Sequence, residues 1–419
     1  MTAASPGRRA VVIGGGVIGI ACAHYLGRSG WKVEVVERGT LGGGSSHGNC
    51  GLVCPSHVLP LAEPGMVGQA LKSLFQANSP FKIKPRLDPA LWSWLLHFAA
   101  RCNEADMLAA GRGIQPLLTS SLALYHELVE REGLDCEFEQ KGLLFAYRDP
   151  HALEAYAPIN RLMTESFDCP AERLDSDALQ ALEPALREGL AGGWYYHDDA
   201  HLRPDKLMRA WRARVEADGG SIREHHDFRG FESANGRVRA ARTSAGDVAG
   251  DLFIVAAGAW TPLLKRHLGC SVPIQPGKGY SLTMPRPAAC PTIPLIFPET
   301  RVVATPFPSG YRLGSTMEFA GYDATIRPER VQLLRDGAAP YLREPTCEPV
   351  LEEWFGWRPM TYDSLPIIDR CPRFTNVILA AGHNMLGLSM APATGKLVAE
   401  MAEAASTHVD PEPYRVNRF

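Results

Sequence analysis

The segment Ala10-Val11-Val12-Ile13-Gly14-Gly15-Gly16-Val17-Ile18-Gly19 sets the strongest limit on what this chain can become. Its apolar run reads as a buried strand, and Ile20 to Leu26 then repeat at helical spacing, so the glycines stand at a strand-to-helix turn. Val33, Val35 and Val36 form a second buried strand, which Glu37 closes. Glycine at Gly14, Gly16 and Gly19 lets the chain turn sharply and brings backbone N–H groups against a pyrophosphate at the positive end of the helix. Glu37 can accept hydrogen bonds from both hydroxyls of a ribose and would repel a 2'-phosphate. Strand, turn, helix, strand and acid in this order predict a Rossmann-like unit for FAD or NAD rather than NADP.

The rest of the chain says how that unit is completed. With 419 residues the chain exceeds a single core, which stops growing at about 300 residues, so two domains sharing a cleft are expected. From about Leu61 to Glu132 the texture is amphipathic helix, with Leu91, Trp92, Leu95, Leu96 and Phe98 read as one apolar face and a second stretch from Leu117 to Val129. A helix from Pro204 to Ala217, stopped by Gly219-Gly220, precedes strands around Ile222, Phe228 and Val238, and Leu252 to Ala257 is another buried strand. Between Pro273 and Pro308 turn residues separate strand-like pieces such as Tyr280 to Met284 and Arg301 to Thr305, the pattern of an antiparallel sheet. Val377 to Ala381, a glycine turn and a helix from about Ser389 to Ala405 return to nucleotide-domain texture. The expected architecture is an α/β Rossmann-like FAD-binding domain, discontinuous over 1-60, 195-262 and 353-419, with an α+β substrate domain carrying an antiparallel sheet over 61-194 and 263-352.

Formal net charge is −3 and no like-charge block interrupts the chain, which excludes a nucleic-acid footprint and favours a small-molecule partner. The ten cysteines have no zinc-type spacing, so no metal is expected; Cys50 and Cys54 read as buried thiols of a reducing cytosol. The polar start from Met1 to Arg9 has the character of neither a cleaved signal nor a membrane span. The expected location is the cytoplasm, with membrane contact at most peripheral, at its inner face, through the aromatic stretch Leu91 to Phe98.

A second loop, Ser45-Ser46-His47-Gly48-Asn49-Cys50-Gly51, follows Glu37 closely and is rich in small, hydrogen-bonding residues, as a flavin's pyrophosphate and ring edge require; an ordinary surface turn is the alternative. Four blocks now stand in order: the Gly14 fingerprint ending in Glu37-Arg38, the Ser45 to Gly51 loop, Ile254-Val255-Ala256-Ala257-Gly258-Ala259-Trp260, and Gly356-Trp357-Arg358-Pro359 through Gly387-Leu388-Ser389. Over nearly its whole length the chain resembles the D-amino acid dehydrogenase and glycine/sarcosine oxidase family of flavoproteins. The continuation from Gly51 to Gly65 is more similar to the dehydrogenase branch, including enzymes of D-proline and cis-4-hydroxy-D-proline. The resemblance implies FAD contacts from Gly14, Gly16, Val17, Ile18, Gly19, Glu37, Arg38, Ser45, Ser46, Asn49, Gly51 and Leu52. It adds Phe228 on the adenine side, Ala257 and Gly258 beside the cofactor, and Gly382, His383, Gly387, Leu388 and Ser389 against the isoalloxazine. Sarcosine oxidases tether FAD through a cysteine after the arginine that matches Arg358; Pro359-Met360-Thr361-Tyr362 has none, so non-covalent FAD is implied.

Arg358 follows residues that read as a buried strand, where a permanent cation needs an anion; a substrate carboxylate, gripped by the guanidinium fork, meets that need, and a structural ion pair is the alternative. Tyr280 matches a position that lines the family's substrate pocket, and its hydroxyl is expected to share the carboxylate, with a core tyrosine as the alternative. His57, His383 and Asn384 flank flavin segments, and none is assigned as a base. The expected reaction is hydride transfer from Cα of a small amino or imino acid to flavin N5, with electrons passing to a quinone or electron carrier. Two rivals are an oxidase that uses oxygen and a non-catalytic FAD-binding subunit of a larger complex.

Overall fold

The apolar run forms the strand Arg9–Ile13 and the helix Val17–Arg28 follows the glycine turn, in a computed structural model that describes residues 7–68, 81–84 and 86–419. Arg9–Ile13 lies in a six-stranded sheet between Leu252–Val255 and Lys32–Val36, parallel to both; Val377–Ala381 and Ser221–Arg223 extend it in parallel, and Ile367–Arg370 adds an antiparallel edge. A strand alternates its side chains between faces, which explains why these runs are apolar throughout. Ala10, Val12, Val33, Val35 and Ile254 pack with the helices Val17–Arg28 and Gly387–Ala402, whereas Val11, Ile13, Val36, Phe253 and Val255 pack with a three-stranded meander, Phe228–Ala234, Arg237–Thr243 and Gly246–Ala249.

The helix expected from Pro204 to Ala217 has those bounds, and the strands around Ile222, Phe228 and Val238 are present. The last helix begins at Gly387 and ends at Ala402 rather than running from Ser389 to Ala405. The apolar face expected around Leu91 is corrected. In the helix Pro89–Arg101 the buried residues are Leu91, Trp94 and Phe98, while Trp92 is 49% and Leu96 73% exposed. Positions 91, 94 and 98 share a face at helical spacing, and 92 and 96 are turned roughly 130° and 170° from its centre.

The turn-rich segment builds a nine-stranded sheet in the order Glu352–Thr361, Ile274–Met284, Gly310–Phe319, Val302–Phe307, Leu295–Phe297, Leu143–Tyr147, Gly192–Tyr196 and Glu172–Leu174, with Phe81–Ile83 also paired to Gly310–Phe319. Most pairs are antiparallel; Leu295–Phe297 with Leu143–Tyr147, and Phe81–Ile83 with its neighbour, are parallel. Glu352–Thr361 pairs along its length with Ile274–Met284, so residues 353–361, grouped by sequence with the nucleotide domain, are a strand of this sheet. The segment 69–80, within the amphipathic stretch that starts near Leu61, is outside the described residues. Among the described residues no helix is long and apolar enough to cross a membrane.

Candidate active site

A cavity of about 1050 Å³ runs between the two large sheets. One end is formed where Arg9–Ile13 hands over to its helix. Gly14 has φ +108°, and a Cβ there would stand 2.4 Å from the Ala256 carbonyl oxygen, so only glycine passes between the strands. Gly16, Val17 and Ile18 face the cavity, and a Cβ on Gly16 would meet nothing nearer than Ser46 Oγ at 3.4 Å. Gly19 is a correction: it does not line the cavity, and its Cβ would fall on the Gly14 carbonyl, so its role is close packing of helix on turn. Glu37 accepts from Gly15 N–H at 2.7 Å and from Gly39 N–H at 2.8 Å, which aims its carboxylate along the turn. Arg38 stacks on Trp260, 3.6 Å above the ring, and Phe228 lies on the same wall.

The loop from Ser45 to Leu52 crosses the face of the nine-stranded sheet. Ser45 donates to the Trp357 carbonyl, and Ser281 to the Gly48 carbonyl, both at 2.7 Å. Thr305 donates to the Cys50 carbonyl at 2.8 Å. Arg312, 1% exposed, donates from Nη1 to the Asn49 carbonyl at 2.7 Å and from Nε to Thr283 Oγ1 at 3.0 Å. Asn49 spends its side chain inside the loop, donating to the Ser46 carbonyl and accepting from Gly51 N–H. One amide hydrogen of Asn49 is left over for a ligand. Sequence reasoning missed Arg312 and Trp260; an arginine in an otherwise apolar strand was the available signal for the first.

Ala257 and Gly258 line the cavity, and the space around Gly258 is open, with no described atom within 4 Å of where a Cβ would stand. Gly382, His383, Gly387, Leu388 and Ser389 form the opposite wall. The first N–H groups of the helix Gly387–Ala402 have no intrahelical acceptor and stand at its positive end. His383 Nε2 is 3.0 Å from Thr394 Oγ1, and burial pushes its pKa down to about 3, so a neutral ring is pinned to that helix. Asn384 bonds Thr361, Ser364 and Gly382, clamping the turn from inside. Ser389 Oγ donates to the Leu52 carbonyl at 2.9 Å and ties the two walls together.

Arg358 enters between the walls. The pleat puts it on the face of Gly277 and Gly279, and a Cβ on Gly279 would stand 2.2 Å from Arg358 Nη1, so the missing side chain is the seat of the guanidinium. Nη1 donates to the Thr316 carbonyl at 2.8 Å. That carbonyl is aimed by a bulge in which Ser315 and Thr316 have φ +116° and +55°, conformations costly for residues with a Cβ. Among the described residues no carboxylate lies within ion-pairing distance of Arg358. Burial lowers its pKa, opposed by nearby Cys50.

Tyr280 is a correction. It neighbours Gly279 in the strand and so points to the other face, where its hydroxyl donates to Glu318 at 2.9 Å within a buried cluster that includes Lys278 and Arg330. Tyr280 reaches the cavity wall, but its hydroxyl proton is committed elsewhere. Phe145, Ile296 and Val303, paired across three strands, floor the far end, and His57 stands over Phe145 with ring centroids 6.2 Å apart.

The family model of the FAD dependent oxidoreductases, DAO, matches residues 9–401. The chain belongs to this family. A D-amino acid dehydrogenase of Paramagnetospirillum magneticum is 32% identical over 418 residues, covering 98% of this chain and 99% of its own. D-amino acid dehydrogenase 2 of Mesorhizobium japonicum is 31% identical over 413 residues, covering 96% and 98%. Among solved structures, glycine oxidase from Geobacillus kaustophilus has a TM-score of 0.79 at 23% identity, covering 98% of this chain and 99% of that one. L-proline dehydrogenase from P. horikoshii has a TM-score of 0.73 at 21% identity, covering 99% and 98%. At such identities the likeness carries the fold.

The residues present fit the family's FAD. The cavity volume is at the upper end of the roughly 300–1,000 Å³ of small-molecule sites, as a dinucleotide requires. Gly16 leaves open the space over the amino end of the first helix, whose dipole favours a pyrophosphate, while Val17 N–H there donates to Ser46 Oγ at 2.9 Å. Glu37 sits where a ribose would be read, and the first turn of Gly387–Ala402 offers donors at the opposite wall.

Proposed function

We propose that this member of the family oxidises a small D-amino or D-imino acid at the carbon bearing nitrogen, with D-proline and cis-4-hydroxy-D-proline as candidate substrates. Arg358 carries the reading: a half-buried cation without a carboxylate partner among the described residues, on the face that lines the cavity. A buried charge without a partner is costly, and a substrate carboxylate supplies the partner. Bidentate pairing with the guanidinium would also stop the substrate from rotating, so that its Cα hydrogen keeps one direction. FAD, when bound, accepts the hydride. The N–H groups at the start of Gly387–Ala402 favour negative charge developing against that wall. No side chain is assigned as a base: His383 is pinned and neutral, and Tyr280 gives its proton to Glu318. The relatives named as D-amino acid dehydrogenases support the D-stereochemistry; an acceptor such as a quinone or electron carrier, reached from the cytoplasmic side, completes the reading.

In this reading 1-60, 195-262 and 362-419 hold FAD, while 61-194 and 263-361 form the substrate side. The FAD is held without a covalent bond, a reading supported by the absence of cysteine from Pro359 to Tyr362. Acid precipitation is then expected to leave the flavin in the supernatant. The deciding experiment is anaerobic bleaching of the oxidised flavin with D- and L-amino acids, glycine, sarcosine and hydroxyprolines. Bleaching by D-amino or D-imino acids is expected, and bleaching only by L-forms or by none would overturn the reading. Arg358→Ala is expected to retain FAD and lose about 2–5 kcal/mol of transition-state stabilisation, read from kcat/KM. Turnover equal to wild type would remove Arg358 from the site. Rapid re-oxidation of the reduced flavin by oxygen would replace the dehydrogenase with an oxidase.

A further inference from the structure

Cys54, Ser56 and Asp199, all buried, form one group with the half-buried His57, and Cys54 and His57 line the same cavity as Arg358. The donor atoms of Cys54, His57 and Asp199 lie within 4.8 Å of one another, close enough to suggest a metal site. The Ser56 hydroxyl argues otherwise, because it stands between two of them: 2.5 Å from Asp199 Oδ2 and 3.3 Å from His57 Nδ1. Ser56 N–H also donates to Asp199 Oδ1 at 3.0 Å. The group is therefore a hydrogen-bond chain that ends at the imidazole.

The chain fixes what the imidazole offers. With Asp199 ionised, Ser56 donates its only proton to the carboxylate and can only accept from His57, so Nδ1 carries the ring hydrogen. Nε2 is then left as a bare acceptor. Nε2 has no protein partner among the described residues and is not among the buried unpartnered atoms, so it opens to the cavity that His57 lines. Burial lowers the pKa of His57 to about 4, which keeps the ring neutral and the acceptor available. Beside it Phe145, paired across the sheet with Ile296 and through it with Val303, gives the cavity an apolar wall.

We propose that His57 is a specificity-determining residue, whose Nε2 accepts a hydrogen bond from an uncharged donor, a hydroxyl above all, on the side chain of the substrate. The inference rests on the reading of the cavity as a D-amino acid oxidation site and names which members of that class it takes. An ammonium donor is disfavoured, since the apolar wall that keeps the imidazole neutral also penalises a second buried cation. Arg358 and His57 then divide the substrate, its carboxylate at one end and its side-chain hydroxyl at the other.

The test compares pairs that differ by one hydroxyl, cis-4-hydroxy-D-proline against D-proline and D-serine against D-alanine, in mildly alkaline buffer with an artificial dye as acceptor. Wild type is expected to favour the hydroxylated member about tenfold in kcat/KM, the value of one hydrogen bond, mostly through KM. His57→Phe keeps the ring shape without the acceptor and is expected to bring the ratio to about one, while His57→Gln, which keeps an acceptor oxygen, restores part of it. FAD content certifies each variant as folded, and His57→Leu replaces His57→Phe if the larger ring is not accommodated. A wild-type ratio near one, or a ratio unchanged in the apolar variant, overturns the proposal. An equal loss on both members of each pair also overturns it, because His57 would then act on the shared amine. If wild-type flavin is bleached by no D-amino acid at all, the failure belongs to the reading of the site as D-amino acid oxidation.

Discussion

Gly279 offers a way to move the guanidinium without changing it. A Cβ built there lies 2.2 Å from Arg358 Nη1 and 2.5 Å from Cζ, well inside contact distance, so in Gly279→Ala the guanidinium must shift by an ångström or more. The backbone has no need of glycine here: Gly279 is in the strand Ile274–Met284 and does not have a positive φ. The clash falls on the end of a flexible side chain, so the fold survives while the fork leaves the Thr316 carbonyl. A displacement of about 1 Å of a positioning group costs on the order of 100-fold, or about 2.7 kcal/mol in the barrier. Gly277→Ala is the control, since its Cβ would press on Met360 Cγ at 2.9 Å, on the same face but away from the guanidinium. Dye-linked kcat/KM on the best D-amino acid, with FAD content measured in parallel, gives the comparison. A Gly279→Ala enzyme with full FAD and wild-type kcat/KM would refute the placement of Arg358 at the substrate.

Gly16→Val is expected to fold yet purify without the yellow absorbance, because the nearest protein atom to its Cβ is Ser46 Oγ at 3.4 Å and the added bulk fills ligand space. Gly14→Ala, at φ +108° and 2.4 Å from the Ala256 carbonyl, is instead expected to lower the melting temperature of the protein itself. Arg312→Met should weaken FAD binding at unchanged substrate preference, since it releases the loop at the Asn49 carbonyl; unchanged flavin affinity would leave that clamp without function. Burial raises the Asp199 pKa to about 7, against opposing bonds from Ser56 and Cys54 and with Asp198 nearby. The folded state thus holds a proton that the unfolded chain has released, and the contribution of Asp199 to stability is full below about pH 4 and is lost as pH rises through about 7. The difference in denaturant stability between wild type and Asp199→Asn, followed over that range, should show the slope; a flat difference would mean that Asp199 titrates normally.

The fingerprint was legible because everything that specifies it is local: an apolar run, a glycine turn and an acid within one strand-helix-strand unit. The buried strands at Leu252 and Val377 were legible for a related reason, since a parallel sheet covered on both faces demands unbroken apolar runs. Tyr280 was misread because its direction depends on which residue faces Arg358 across strands some eighty positions apart, and a bulge at Lys278 to Tyr280 shifts the next pairing again. The strands Leu143–Tyr147 and Gly192–Tyr196 lie in a stretch whose helices dominate the periodicity. Asn49 and His383 are polar residues at the right places whose side chains the fold spends largely on its own backbone and hydroxyls, which no spacing reveals. Asp199 and Ser56 stand 143 positions apart, so their chain to His57 exists only after folding.

The pleat also explains why Arg358 has no acid of its own among the described residues. Glu318 is the nearest candidate on the neighbouring strands: it pairs in register with Lys278, one residue from Gly279, the seat of the guanidinium. The Tyr280 hydroxyl turns to the other face of its strand from Gly279, and Glu318 goes with it, accepting from Tyr280 and facing Arg327 and Arg330. The bulge at Ser315 and Thr316 adjusts the register between the two sides and turns a carbonyl, not a carboxylate, toward Arg358. A slip of one residue in Gly310–Phe319 would carry Glu318 to the cavity face and neutralise the guanidinium before any ligand arrived. The strained backbone at Thr316 is thus the local cost of keeping one cation free of a carboxylate, and a strand with ideal geometry would trade that strain for a closed ion pair and an empty-handed site.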